Sequence, residues 1–138
     1  MIAVDTSALL AVVFDEPERE AFFKTIRKAE SALVSAVSVI EARMVTYSRR
    51  GEGGLEILDA ILAVPTFEIV SPGGEELDIA QAAFVAYGKG QAHPAQLNFG
   101  DLFSCALAKA RGVPLLYKGG DFARTDIAAA VNSKEKKL

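Results

Sequence analysis

The chain has 138 residues, 51% of them hydrophobic and 24% charged, with one cysteine, one histidine and a formal net charge of −3. That length and balance suit one globular domain with one core, and they exclude an internal disulfide or a zinc site built from several cysteines and histidines. The longest apolar run, Ala8 to Phe14, is far short of the ~20 residues a membrane span needs, and no basic region precedes an apolar one at the start, so a soluble, cytoplasmic protein is expected.

Met1-Ile2-Ala3-Val4 is a short apolar run without Pro or Gly, suited to a strand covered on both faces, and it stops at Asp5-Thr6-Ser7. Ala8 to Phe14 reads as a short apolar helix with its N-cap among Asp5, Thr6 and Ser7. Asp15-Glu16-Pro17-Glu18 reads as a new helix start, with acids at the positive end of the dipole. That helix turns Phe22, Phe23 and Ile26 inward and ends near Ala29. Ala32 to Ser35 is a strand. A helix follows from about Val37 to Arg50, on which Val37, Ile40, Met44 and Tyr47 recur at helical spacing as the buried stripe, and Gly51-Glu52-Gly53-Gly54 stops it. Leu55 to Ala63 is a further helix ended by Pro65, Thr66 to Val70 a strand, and about Gly74 to Tyr87 a helix. Gly88 to Asn98 is a loop, Phe99 to Arg111 the last long helix, and Val113 to Tyr117 a buried strand. Gly119-Gly120 is a turn, Ile127 to Val131 a short edge strand, and Asn132 to Leu138 a Lys-rich frayed tail. Strands alternating with helices predict an α/β sandwich around a mainly parallel sheet, with no repeat and no linker: one domain over residues 1–138.

Four acids stand out: Asp5, Glu41, Asp101 and Asp121. Each has an ordinary alternative. Asp5 suits an N-cap, Glu41 a solvated helix position, Asp101 the third position of a helix capped by Asn98, and Asp121 a turn. Their joint placement says more. A parallel sheet gathers the ends of the first and fourth strands at one edge, and the helix beginning near Asp101 starts at that edge because it feeds the fourth strand. Like charges gathered there would raise one another's pKa, so the cluster makes sense around a cation. Oxygen-only ligation points to Mg²⁺ or Mn²⁺, and the chemistry that a carboxylate-held divalent ion serves is phosphodiester hydrolysis. The negative net charge decides little about nucleic acid: with four of the 18 acids set aside for metal, 14 remain against 15 bases. Arg43, Arg49, Arg50, Lys89, Lys118 and Arg124 are candidates for holding a nucleic-acid backbone, with solvated surface charge as their ordinary alternative.

The blocks Met1 to Leu9, the helix with Glu41, Leu97-Asn98-Phe99-Gly100-Asp101, and Leu115 to Phe122 resemble, in order and spacing, PIN-domain ribonucleases of the VapC toxin type. The likeness spans essentially the whole chain. It implies a PIN-like three-layer sandwich with a mainly parallel sheet of four to five strands, and a Mg²⁺- or Mn²⁺-dependent endoribonuclease acting as the toxin of a toxin–antitoxin pair. It also implies a cognate antitoxin that blocks the acidic site, an RNA substrate, and a homodimer. Carried over residue by residue, it makes Asp5, Glu41, Asp101 and Asp121 the catalytic metal ligands, with Thr6, Ser7 and Asn98 supporting them. Asp126 has no assigned role. Two rival readings are a haloacid-dehalogenase-like Mg²⁺ phosphatase, which needs a second Asp where Ser7 stands, and a non-catalytic PIN-like RNA-binding module, which would normally have lost the acids.

Overall fold

The computed structural model describes residues 1–131; the expected frayed tail, 132–138, lies outside the described residues. Four strands form one sheet: β1 (Ile2–Val4), β2 (Ala32–Ser35), β3 (Phe67–Val70) and β4 (Leu115–Leu116). All neighbours are parallel, in the order β3-β2-β1-β4. Alternate strand residues feed two separate cores. Ile2, Val4, Ala32, Val34 and Leu116 join one, and Ala3, Leu33 and Leu115 join the other, which is why the strands read as unbroken apolar runs.

Five helices cover the two faces: α1 (Thr6–Val13), α2 (Arg19–Lys28), α3 (Ala36–Leu62), α4 (Gly74–Tyr87) and α5 (Phe99–Arg111). Helices α1, α2 and α3 carry the first core, with Leu9, Phe22 and Leu58 fully buried, and α4 and α5 carry the second, with Cys105 and Leu107. From β1 the chain steps to β2 and β3 on one side, then returns to place β4 on the other side of β1. Right-handed crossovers in opposite directions put their helices on opposite faces. The reversal creates a crevice at the carboxyl ends of β1 and β4, the place where open α/β sheets bind ligands.

Several boundaries depart from expectation. The predicted start of α2 at Asp15–Glu18 is a turn: Asp15 has φ 53°, Glu16 N–H donates to the Ala11 carbonyl at 2.9 Å, and the Glu16 and Glu18 carboxylates reach Lys118 instead of capping a helix. The predicted glycine stop after Arg50 is present, because α3 is two helical segments that meet at a kink at Gly51 (φ 61°, ψ −150°), a left-handed φ that glycine adopts without penalty; only the start of the second segment differs, lying before the predicted Leu55. The expected buried stripe on α3 is corrected as well. Ile40, Met44 and Tyr47 are 52%, 65% and 55% exposed, while Ser38, Val39, Ala42 and Thr46 are buried. Small side chains let α3 lie close to its neighbours, so the large ones are turned outward. The last strand narrows to Leu115–Leu116. The expected edge strand at 127–131 is a single bridge, Ala129 to Leu115, with Leu115 N–H donating to the Ala128 carbonyl at 2.8 Å.

Candidate functional site

Asp5 ends β1 and begins α1. Its Oδ2 accepts from the Ser7 backbone N–H at 3.0 Å and from the Ser7 hydroxyl at 2.6 Å, and its Oδ1 accepts from the Ser104 hydroxyl at 2.5 Å. The residue is 3% exposed. It is therefore both the N-cap of α1 and a buried carboxylate whose two oxygens are fixed in direction. Ser7 is held in turn, because its Oγ accepts from the Lys118 backbone N–H at 3.0 Å, which ties the ends of β1 and β4 together. The Thr6 hydroxyl donates to the Ser38 carbonyl at 3.3 Å, fastening α1 to α3.

Asp101 lies in the first turn of α5, with Asn98 as the cap. Asn98 Oδ1 accepts from the Asp101 N–H at 2.9 Å, and Asp101 Oδ2 accepts from the Asn98 N–H at 3.0 Å. This capping box is a sufficient structural reason for Asp101, yet its electrostatics exceed that role. Burial pushes its carboxyl up to about 7, and the charges of Asp5, Asp121 and Glu41 push the same way against the lowering effect of the Asn98 backbone. Three other acids thus bear on one buried carboxylate.

Glu41 enters from α3 and its carboxylate rests against Gly100. A Cβ on Gly100 would lie 2.5–2.8 Å from the Glu41 carboxylate atoms, closer than any stable contact, so the glycine provides the space in which the carboxylate sits. Asp121 is exposed on the turn after β4, just before the short 3₁₀ segment Phe122–Arg124. Among the described residues, no three acidic, His or Cys side chains stand close enough together to hold a metal ion as they are placed. The mutual repulsion felt at Asp101 acts over a longer range than coordination. The candidate donors are carboxylates, and oxygen is the ligand type that Mg²⁺ and Mn²⁺ take.

Two residues of this network carried no sequence assignment. Ser104, one turn after Asp101 on α5, holds Asp5, and its hydroxyl lies 3.2 Å from that of Ser38 on α3. The available signal was a hydroxyl three residues beyond a candidate acid, within the otherwise apolar run Leu102 to Leu107, where helical spacing returns it to the same face. Asp126 stands apart from the acids. It pairs with Lys109 at 2.7 Å, which holds its carboxyl below the usual range. Cys105 is buried and its thiol is pushed up to about 11, so it is not an activated nucleophile. Of the basic candidates, Arg49 and Arg50 lie over the Phe14 ring at 4.9 and 5.3 Å, and Lys118 Nζ sits 3.3 Å from both Glu16 and Glu18.

The PIN domain family matches residues 2–128. The chain is 43% identical over 127 residues to the VapC ribonuclease Mb0640 of Mycobacterium bovis and, to the same degree, to ribonuclease VapC30 of Mycobacterium tuberculosis, covering 92% of this chain and 96% of each relative. It is 41% identical over 128 residues to ribonuclease VapC of Mycolicibacterium smegmatis, covering 93% of this chain and 98% of that one. Among solved structures, the fold matches Mycobacterium tuberculosis VapC20, a sarcin-ricin loop cleaving toxin, with TM-score 0.75 at 18% identity over 93% of this chain and 97% of that one. It also matches VapBC2 of Rickettsia felis bound to a promoter DNA fragment, with TM-score 0.73 at 16% identity over 94% and 96% of the two chains.

Proposed function

This chain belongs to the PIN-domain family, and from that premise we propose that it is a Mg²⁺- or Mn²⁺-dependent endoribonuclease, the toxin of a toxin–antitoxin pair, formed by one domain over residues 1–138. The observation that carries the reading is geometric: the buried Asp5 and Asp101 carboxylates lie at the end of β1 and the start of α5, with Ser104 of α5 donating to Asp5, and the Glu41 carboxylate rests against Gly100 beside Asp101. The names of the curated relatives support ribonuclease activity, and the VapBC2 assembly supports an antitoxin partner.

Asp5, Glu41, Asp101 and Asp121 would hold the ion. Once bound, it supplies a Lewis acid for the scissile phosphate and a water acidified enough to attack it. The chain contributes orientation. Ser7 and Ser104 aim the two oxygens of Asp5, the Asn98 backbone fixes one oxygen of Asp101, and Gly100 leaves room for Glu41. Such supporting contacts matter because losing one typically costs ~10–100-fold in metal affinity or activity. Purified protein incubated with cellular RNA tests the reading: cleavage with Mg²⁺ or Mn²⁺ that stops on chelation is expected, and an intact RNA population under both conditions would refute it.

Gly100→Ala tests the seat of Glu41. The added methyl displaces the carboxylate, so cleavage is expected to fall by about tenfold or more, while melting temperature holds or rises because Ala favours a helix over Gly by up to about 1 kcal/mol. A cleavage assay beside a thermal melt separates the two effects.

A homodimer is part of the same proposal. The outward face of α3 offers Ile40, Met44 and Tyr47 as exposed apolar surface, beside a hollow of about 400 Å³ lined by Arg43, Met44, Tyr47, Ser48 and Leu55. A second copy covering this face would bury it. Met44→Lys with Tyr47→Lys is expected to shift the protein from dimer to monomer in sedimentation velocity, with the monomer still folded. Among the described residues no helix is long and apolar enough to cross a membrane. The proposed location is the cytoplasm, where RNA and a cognate antitoxin would be met.

A further inference from the structure

We propose that the outer face of α2 is a second RNA-contact surface, gripping the substrate strand beyond the acidic site; the inference rests on the ribonuclease reading. A cavity of about 300 Å³ lies on this face, lined by Arg19, Glu20, Phe23, Lys24 and Arg27. Three cations thus face one acid on a chain whose overall charge is negative. An acidic cleavage site repels a polyanion, so affinity for RNA must come from cations placed elsewhere.

Several cations elsewhere on the chain are engaged within the fold. Lys118 spans Glu16 and Glu18, Arg49 and Arg50 lie over Phe14, and Lys109 pairs with Asp126. On α2 the situation differs. Lys24 and Arg27 are exposed and make no ion pair among the described residues. Arg19 has only a long contact, 3.8 Å, to the highly exposed Asp15, and its Nε is buried without a hydrogen-bond partner.

The ring at the centre of the cavity argues for nucleic acid over an acidic protein segment. The Arg27 guanidinium lies 4.8 Å from the centroid of the half-buried Phe23 ring. A ring and a guanidinium plane side by side form the platform on which unpaired bases stack, while neighbouring cations hold the backbone. The location also fits. Glu16 and Glu18, directly before α2, are held by Lys118, whose N–H secures Ser7 beside Asp5. Arg19 and Arg27 lie eight residues apart on α2, about 12 Å along its axis.

The test is metal-free binding of a labelled single-stranded RNA, followed by anisotropy across a salt series, with cleavage measured separately. Lys24→Gln/Arg27→Gln changes two exposed side chains, and unaltered circular dichroism confirms the fold. Expected is a loss of affinity on the order of tenfold and a salt slope shallower by about 1.4, for two lost phosphate contacts on a single strand. Phe23→Leu, which keeps apolar volume but removes the stacking ring, is expected to weaken binding with the slope unchanged. RNA affinity and slope equal to wild type in the double variant would overturn the proposal, as would a loss of polyglutamate binding with RNA binding intact, which would assign the face to an acidic protein. If wild type binds RNA through α2 and cuts none, the nuclease reading fails and this surface stands; cleavage with unchanged binding in the variant gives the reverse.

Discussion

Asp5→Asn is expected to lower metal-dependent RNA cleavage by more than about 100-fold while the protein remains folded. The lower bound follows from supporting residues alone, whose loss costs ~10–100-fold; a ligand should cost at least as much. The fold survives because Asn caps a helix about as well as Asp, so its side-chain oxygen can still accept from the Ser7 N–H. The Ser104 hydroxyl that now donates to Oδ1 can rotate to suit an amide, and the expected change in stability is within about 1 kcal/mol. A cleavage time course and a thermal melt on the same preparation check both halves.

Asp101→Asn is expected to give opposite results for stability and activity. In the metal-free protein the Asp101 carboxyl is raised from 3.8 to about 7, mainly by burial. A folded value above the unfolded one means that the folded state holds the proton more tightly. Its stabilising contribution is complete below about pH 4 and is lost as pH rises toward 7. Wild-type melting temperature without metal should therefore fall across that window, and the variant should lose most of this slope and be the more stable protein near neutrality. Cleavage should fall as steeply as for Asp5→Asn. A divalent ion competes with the same proton, so its affinity in the wild type should rise between pH 6 and 8, following loss of the Asp101 proton at about 7. Melting curves with and without Mn²⁺ at several pH values measure both effects, and parallel slopes for wild type and variant would contradict the assignment.

Much of the frame was legible because its signals are short-range. Ile2 to Val4 and Ala32 to Ser35 read as buried parallel strands and are such, since burial on both faces leaves no alternation to misread. The bounds of α5 match the sequence reading because Asn98 and Gly112 mark its two ends, Gly112 in the left-handed conformation. The α3 surface was not legible. Ile40, Met44 and Tyr47 have the periodicity of a core stripe, and periodicity cannot say whether the stripe meets this chain's own core or points outward. The start of α2 failed for a related reason: Glu16 and Glu18 have the right chemistry for a first turn but are drawn away by Lys118, about 100 residues later in the chain.

The acids divide in the same way. Capping chemistry made Asp5 and Asp101 visible, and both do cap their helices, so their local role and their proposed one coincide. Thr6 reads as support for the acids, and its hydroxyl fastens α1 to α3 through the Ser38 carbonyl. Ser104 went unassigned because its partner, Asp5, is 99 positions away, a pairing that only the crossover from β1 to α5 creates. Asp126, to which the sequence assigns no role, pairs with Lys109.

The most direct measurement is Mn²⁺ titration followed by electron paramagnetic resonance, on wild type and on Asp5→Asn, Glu41→Gln, Asp101→Asn and Asp121→Asn. Wild type should bind the ion, with each single variant weaker by about tenfold or more and still folded. Wild-type affinity in all four variants would contradict the four-carboxylate metal site.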